Sequence, residues 1–311
     1  MKAIITGGAG FIGGAAVEHF IKMGDEVLVI DSLTYASNLR RLVLSHIEKV
    51  DVCDKSRLLD IVKDFKPDCV FHFAAETHVD NSIRDYAPFI KTNIEGSASV
   101  ADACRLTKTR LCHVSTDEVY GPATERPFVE TDALSPMNPY SATKAAADIM
   151  LQSFDNTYGL DYLIVRPSNN FGPHQHKEKF IPKLLECLKN HQVFPLYGAG
   201  DQIREWTYVF DTARLIRLLV KNKDTQWNTI YNLSSGISMK NIDASRKIVQ
   251  IFNKMNNTDI DINDVVKTAF DRPGHDKKYW INTDKINQLL IPNYTSFDLG
   301  IKEIIKNHLI N

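Results

Sequence analysis

Five side chains of complementary chemistry are gathered in two short stretches of this sequence. Ser115-Thr116-Asp117-Glu118-Val119-Tyr120-Gly121 offers a hydroxyl followed by two adjacent carboxyls, and Tyr140-Ser-Ala-Thr-Lys144 offers a phenol four residues before an amine. On a helix, residues four apart share a face, so Lys144 would stand beside Tyr140. An ammonium there favours phenolate and lets a tyrosine act as a base below its ordinary pKa of about 10. Thr116, Tyr140 and Lys144 suffice to oxidise an alcohol. Adjacent acids after a strand commonly cap a turn, but in this company Asp117 and Glu118 imply a second proton-transfer reaction coupled to the oxidation.

The elements that would hold these groups alternate along the chain. Short β-rich runs at 2–6, 26–31, 47–51, 69–74, 111–115 and 162–167 are separated by helical patterns at 11–23, 56–65, 89–106 and 140–158. This predicts an α/β fold, a doubly wound parallel (Rossmann) sheet with helices on both faces. A seventh strand is expected at 229–234, on an edge. Residues 168–208 are irregular and rich in Asn, Gly, Pro and His, and the stretch after 236 is rich in Lys, Asn and Ile. The expected division is therefore 1–167 plus about 209–236 as a dinucleotide-binding domain, with 168–208 plus 237–311 as a smaller discontinuous α/β lobe that takes the substrate.

Gly7, Gly10 and Gly13 follow the first strand and open a helix with Phe11 and Ile12. That spacing permits a tight turn, close approach of a pyrophosphate to the helix N-terminus, and close packing of helix on strand. Asp31 closes the second strand, where it would accept hydrogen bonds from an adenosine ribose and repel a 2′-phosphate, so NAD is expected rather than NADP. Asp51 and Val52 after the third strand could border the adenine. Ala74 and Ala75 leave the fourth strand with little side chain, which lets backbone approach the dinucleotide.

Bulk properties exclude other classes. The chain has 311 residues, 43% hydrophobic and 24% charged, with a net charge of -1, and gives no reason to expect a nucleic-acid or membrane partner. No apolar stretch approaches the roughly 18 residues of a membrane span, and no signal-peptide pattern opens the chain. Five scattered cysteines lack metal-ligand spacing, and His174 and His176 have no acid or cysteine cluster to complete a metal site, so no metal is expected. A cytoplasmic location is expected.

With the glycine turn and Asp31, the Thr116, Tyr140 and Lys144 set resembles the extended short-chain dehydrogenase/reductase family. The run 115–121 is similar to the signature of its nucleotide-sugar 4,6-dehydratases, especially those of dTDP-glucose. So are Ala75-Glu-Thr-His-Val-Asp80, Ser168-Asn-Asn-Phe-Gly-Pro173, Gly200-Asp-Gln-Ile-Arg-Glu205 and Asp271-Arg-Pro-Gly-His-Asp276. The resemblance implies oxidation of the sugar's 4-hydroxyl by Tyr140, with Thr116 and Lys144 assisting and NAD taking the hydride. Glu118 then removes the proton at position 5, Asp117 protonates the departing 6-hydroxyl, and the hydride returns to position 6.

It further implies diphosphate contacts from Arg204, Arg272 and Asn232. Substrate contacts are implied from His78, Asn169, Asn170, Glu178, Lys179, Phe180 and Tyr197, and a homodimer through helices near 89–106 and 140–158. Members often carry Arg where this chain has Asn81, and many have a longer loop between the two reactive stretches. The nucleotide (dTDP, UDP or other) and the hexose therefore stay open. A sister 4-epimerase or uronate decarboxylase would have little use for both acids, and a non-catalytic NAD sensor need not keep Thr116, Tyr140 and Lys144 together.

Overall fold

The computed structural model describes residues 1–42, 45–271 and 273–310. Runs rich in Val, Ile and Leu form seven strands, β1 (Lys2–Thr6), β2 (Glu26–Asp31), β3 (His46–Lys49), β4 (Cys69–His72), β5 (Arg110–Val114), β6 (Tyr162–Pro167) and β7 (Thr229–Leu233). They pair in the order β7-β6-β5-β4-β1-β2-β3, parallel throughout. The seventh strand does lie on an edge. The fourth stops at His72, short of the expected 74, because Phe73 to Ala75 leave the ladder to wall a cleft.

Helices cover both faces, which is why the strand interiors are apolar at consecutive positions. On one face, Ala16, Val17 and Phe20 of α1 (Phe11–Lys22) share a core with Ala213, Ile216 and Leu219 of a helix spanning Val209–Lys221. On the other, Leu58 and Ile61 of α2 (Lys55–Phe65) pack with Val100 and Cys104 of α3 (Ser97–Thr107) and Leu151 of α4 (Pro139–Tyr158). The helix at Val209–Lys221 is α5.

The single helix expected over 89–106 is broken. A turn at Ala87–Phe89 runs into a π-helix at Ile90–Gly96 before α3 begins. The wider turn carries Asn93 inward, where it is fully buried. Its Oδ1 accepts from the Glu76 amide at 2.8 Å, and its Nδ2 donates to the Glu76 carbonyl at 3.0 Å and to Thr143 Oγ1 at 2.9 Å. One carboxamide thus ties the loop leaving β4 to the helix that carries Tyr140.

A second apolar core joins Phe171, Leu184, Phe194, Trp206, Ile248, Phe252 and Ile301. It is framed by a three-stranded sheet (Asn169–Phe171, Ile203–Tyr208, Ser238–Lys240) and a parallel pair (Phe194–Tyr197 with Val266–Ala269). The stretch from Asp284 departs from the expected lobe. Ile286, Leu289 and Tyr294 pack into the large sheet's first core, because they cover the apolar face left open at β7 and α5. No helix among the described residues is long and apolar enough to cross a membrane.

Asn93→Ala would strand both backbone groups of Glu76. We expect a loss of about 1–3 kcal/mol, read as a lower urea midpoint at unchanged m-value.

Candidate active site

Backbone contact shapes the cleft before any side chain does. Gly7 has φ +69°, and a Cβ there would lie 2.6 Å from the backbone of Ala74; a Cβ on Gly13 would lie 2.2 Å from the Gly7 carbonyl oxygen. Only glycine fits at either position, which lets β1, β4 and α1 converge. No side chain caps α1 at Gly10, so its first amides face the cleft as an anion site. Asp31 closes β2 with its carboxylate accepting from the Ala9 amide at 2.9 Å, the Leu33 amide at 2.8 Å and Ser37 Oγ at 3.3 Å. Arg41 is turned away from this edge, bound to Glu18 and to the Phe11 carbonyl. A glycine cradle, exposed helix amides and an acid at the ribose position fit a dinucleotide without a 2′-phosphate.

The cleft has a volume of about 550 Å³, within the range of small-molecule sites. Gly7, Gly10, Phe11, Ile12, Gly13, Asp31, Asp51, Val52, Ala74 and Ala75 all line it, and so do Thr116, Asp117, Glu118, Tyr140 and Lys144. A second cavity, of about 710 Å³, is lined by His78, Phe180, Tyr197 and Arg204. Glu118, Asn169, Asn170, Glu178 and Lys179 border both, so the two spaces meet at Glu118, with Asp117 on the side of the first. Among the described residues, no group of three or more His, Cys, Asp or Glu could hold a metal ion.

One expected substrate contact is not brought in. Asn232 is fully buried on β7 and lines neither cavity. Its Oδ1 accepts from Tyr120 at 2.8 Å and its Nδ2 donates to the Phe128 and Asn282 carbonyls, which uses the amide in holding loops together. Arg272 lies outside the described residues.

Other groups border the site or touch its side chains unannounced. Asn241, the first residue of the helix Asn241–Asn256, borders the second cavity with Arg204. Only its place at a helix start could have marked it. The Tyr279 hydroxyl lies 2.7 Å from Asp276 Oδ2 and 3.2 Å from Glu118 Oε2, and the Arg204 guanidinium stacks on its ring at 4.1 Å. Its position three residues past the 271–276 motif was the available clue.

The reactive groups sit where β5 ends. Thr116 caps a 3₁₀ turn at Asp117–Tyr120, its Oγ1 accepting from the Glu118 amide at 3.3 Å. That turn sends the neighbouring acids into different surroundings. Asp117 is buried, and burial together with Glu118 and Glu205 pushes its carboxyl well above the usual carboxylate range, which favours the protonated form. Glu118 stays partly open to the cavities. Asn138 caps α4 through a capping box with Ser141, which fixes the first turn and with it Tyr140.

Burial and Glu118 push the Tyr140 phenol up, while the Thr116 hydroxyl opposes them. Burial also lowers Lys144 to about 8, with Asp148 pulling the other way. In these surroundings the phenolate requires positive charge beside it.

A doubly wound sheet with a glycine-cradled cleft, a Tyr and Lys pair and a second cavity defines a dinucleotide-dependent enzyme acting on a second bound molecule. Residues 3–234 match the model of the NAD dependent epimerase/dehydratase family. The chain belongs to that family, and its dinucleotide is NAD. It is 37% identical to dTDP-glucose 4,6-dehydratase of Salmonella typhimurium, over 100% of this chain and 93% of that one. It is also 37% identical to the low-salt glycan biosynthesis protein Agl12 of Haloferax volcanii, over 99% of each chain. Among solved structures it is similar to DesIV, the dTDP-glucose 4,6-dehydratase of Streptomyces venezuelae with NAD bound. There the TM-score is 0.92 at 34% identity, over 100% of this chain and 98% of that one.

Gly13→Ala places a methyl against the Gly7 carbonyl. The purified variant should carry far less NAD than the parent, measured by absorbance of the acid-released nucleotide, and should melt lower.

Proposed function

We propose that this protein is a nucleotide-sugar 4,6-dehydratase, an NAD-dependent lyase that converts dTDP-glucose to dTDP-4-keto-6-deoxyglucose. The observation that carries this reading is the adjacency of Asp117 to Glu118, which borders both cavities, with Asp117, Thr116, Tyr140 and Lys144 lining the dinucleotide cleft. The shared name of several relatives supports it. An epimerase expels no leaving group and has no task for a buried, protonated Asp117.

Bound NAD would take a hydride from carbon 4 of the sugar, favour the Tyr140 phenolate by its positive ring, and return the hydride at carbon 6. Tyr140 accepts the proton of the 4-hydroxyl. Thr116 donates to the 4-oxygen, and the Lys144 ammonium offsets the phenolate charge. The new ketone acidifies carbon 5, and Glu118 removes that proton as base and gives one back to carbon 5 as the hydride reaches carbon 6, with Tyr279 within hydrogen-bond reach of its carboxylate. Asp117 gives its proton to the 6-oxygen, which leaves as water. Arg204 and Asn241 are placed to meet the diphosphate, and Phe180 and Tyr197 to flank the base. Asn169, Asn170, Glu178 and Lys179 stand between sugar and cofactor.

In this reading residues 1–167 and about 209–236, with the stretch 284–294 packed on them, hold the cofactor. Residues 168–208 and the rest of 237–311 hold the nucleotide sugar. The five cysteines are free thiols, which supports a reducing, cytoplasmic setting. Ile90, Leu106, Ile149 and Tyr158 are exposed on the π-helix and on α3 and α4, and they support a homodimer in which these helices stack on their copies. Sedimentation should show a dimer at micromolar concentration and a monomer for Ile149→Lys. A monomeric parent would contradict the dimer.

Incubating the protein with dTDP-glucose and with UDP-glucose, with products read by NMR, tests the activity. A 4-keto-6-deoxy product from dTDP-glucose is expected. Product from UDP-glucose alone would reassign the nucleotide, and no turnover of either would overturn the dehydratase reading. Glu118→Gln should lower kcat by about 10²–10⁴-fold with NAD still bound.

A further inference from the structure

The face of α4 that carries Tyr140 and Lys144 continues, one turn on, to Asp148, which is fully buried. Asp148 Oδ2 accepts from Arg166 Nε at 2.9 Å, and Oδ1 lies 3.7 Å from His113 Nε2. That ring nitrogen lies 3.4 Å from the Lys144 ammonium, which donates to the Val114 carbonyl at 2.8 Å. Arg166 is 1% exposed, and its guanidinium stacks 4.7 Å above the Tyr120 ring. An ammonium, a carboxylate and a guanidinium therefore share the interior of the sheet where β5, β6 and α4 meet.

Stability is a poor reason for such a cluster, because a buried ion pair usually does no better than an apolar replacement of its volume. The charges have a target instead. Of the groups packed near Lys144, His72 and His113 are held neutral by burial, with His72 also bound by Thr6 and Ser97. Tyr140, Asp117 and Glu118 line the reactive side, and Arg166 is positive. Asp148 is the acid that opposes the loss of the lysine's proton.

We propose that Asp148, held by Arg166, is a positioning residue of the relay, keeping the Lys144 ammonium charged and in place so that Tyr140 can release its proton. This inference rests on the dehydratase reading for its effect on turnover, and is independent of that reading for its effect on the lysine. Removing the carboxylate favours the neutral amine, so the Lys144 midpoint moves down from about 8. Activity that needs the ammonium is then lost at lower pH.

The test is a titration of the NAD-loaded protein with 13Cε-labelled lysine, the Lys144 resonance being assigned by its loss in Lys144→Met. In Asp148→Asn the midpoint should fall by about one pH unit or more. The alkaline limb of kcat should fall with it, kcat should drop about tenfold or more, and KM for the nucleotide sugar should hold. Asp148→Glu should restore the limb. Because Asp148→Asn leaves Arg166 buried without its partner, the double variant Asp148→Asn/Arg166→Gln is titrated alongside and should show the same downward shift. An unchanged Lys144 midpoint in the Asn variants overturns the proposal, as does a shifted midpoint with the parent's pH limb. If the parent turns over no nucleotide sugar, the dehydratase reading falls while the titration still decides the role of Asp148.

Discussion

Asp117 is shut away from water with Glu118 and Glu205 for neighbours, and the upward push this gives its carboxyl shapes the chemistry of the whole site. Two carboxyls adjacent in sequence would ordinarily behave alike. Here the 3₁₀ turn capped by Thr116 buries one and leaves the other partly open where the cavities join. Environment alone sets the two carboxyls apart, as the proposed acid and base roles require. Elimination of water across two neighbouring carbons needs that division of labour.

The scaffold makes the division possible by fixing backbone. Glycine at 7 and 13 lets β1, β4 and α1 close to contact distance, which sets the dinucleotide's path toward the end of β5. Asn93, carried inward by the π-helix, binds the loop after β4 to α4, so the cofactor wall and the Tyr140 helix cannot move independently. Behind them the Asp148 and Arg166 pair fills the sheet interior with charge directed at Lys144. Phe180, packed on the second core, lines the second cavity with Arg204 and Tyr197 on the far side of Glu118, which borders both cavities.

Features that follow from local chemistry were legible in the sequence. Strand and helix alternation, the glycine turn, Asp31 and the Tyr140 and Lys144 spacing each depend on residues close in the chain, and each element appears within a few residues of its expected place. The misreadings have a common cause in long-range packing. Periodicity over 89–106 cannot reveal a π-helix whose reason is the pair of hydrogen bonds between Asn93 and the Glu76 backbone. Asn232 reads as a ligand by its motif, yet β7 turns it into the interior, where Tyr120 and two carbonyls use its amide. Asn241 and Tyr279 come to the site through folding of the second lobe, and the stretch 284–294 joins the large sheet because β7 and α5 leave an apolar face uncovered.

The central claim is that Glu118 handles the proton of carbon 5 while Asp117 serves the 6-oxygen. Turnover of dTDP-glucose in deuterium oxide, with the product's label located by NMR, tests it most directly. A base partly open to solvent exchanges the proton it takes, so one deuterium is expected at carbon 5, and both label and turnover should be lost in Glu118→Gln. A parent product with the original proton at carbon 5, or a Glu118→Gln variant that still makes the labelled product at the parent rate, would contradict the account.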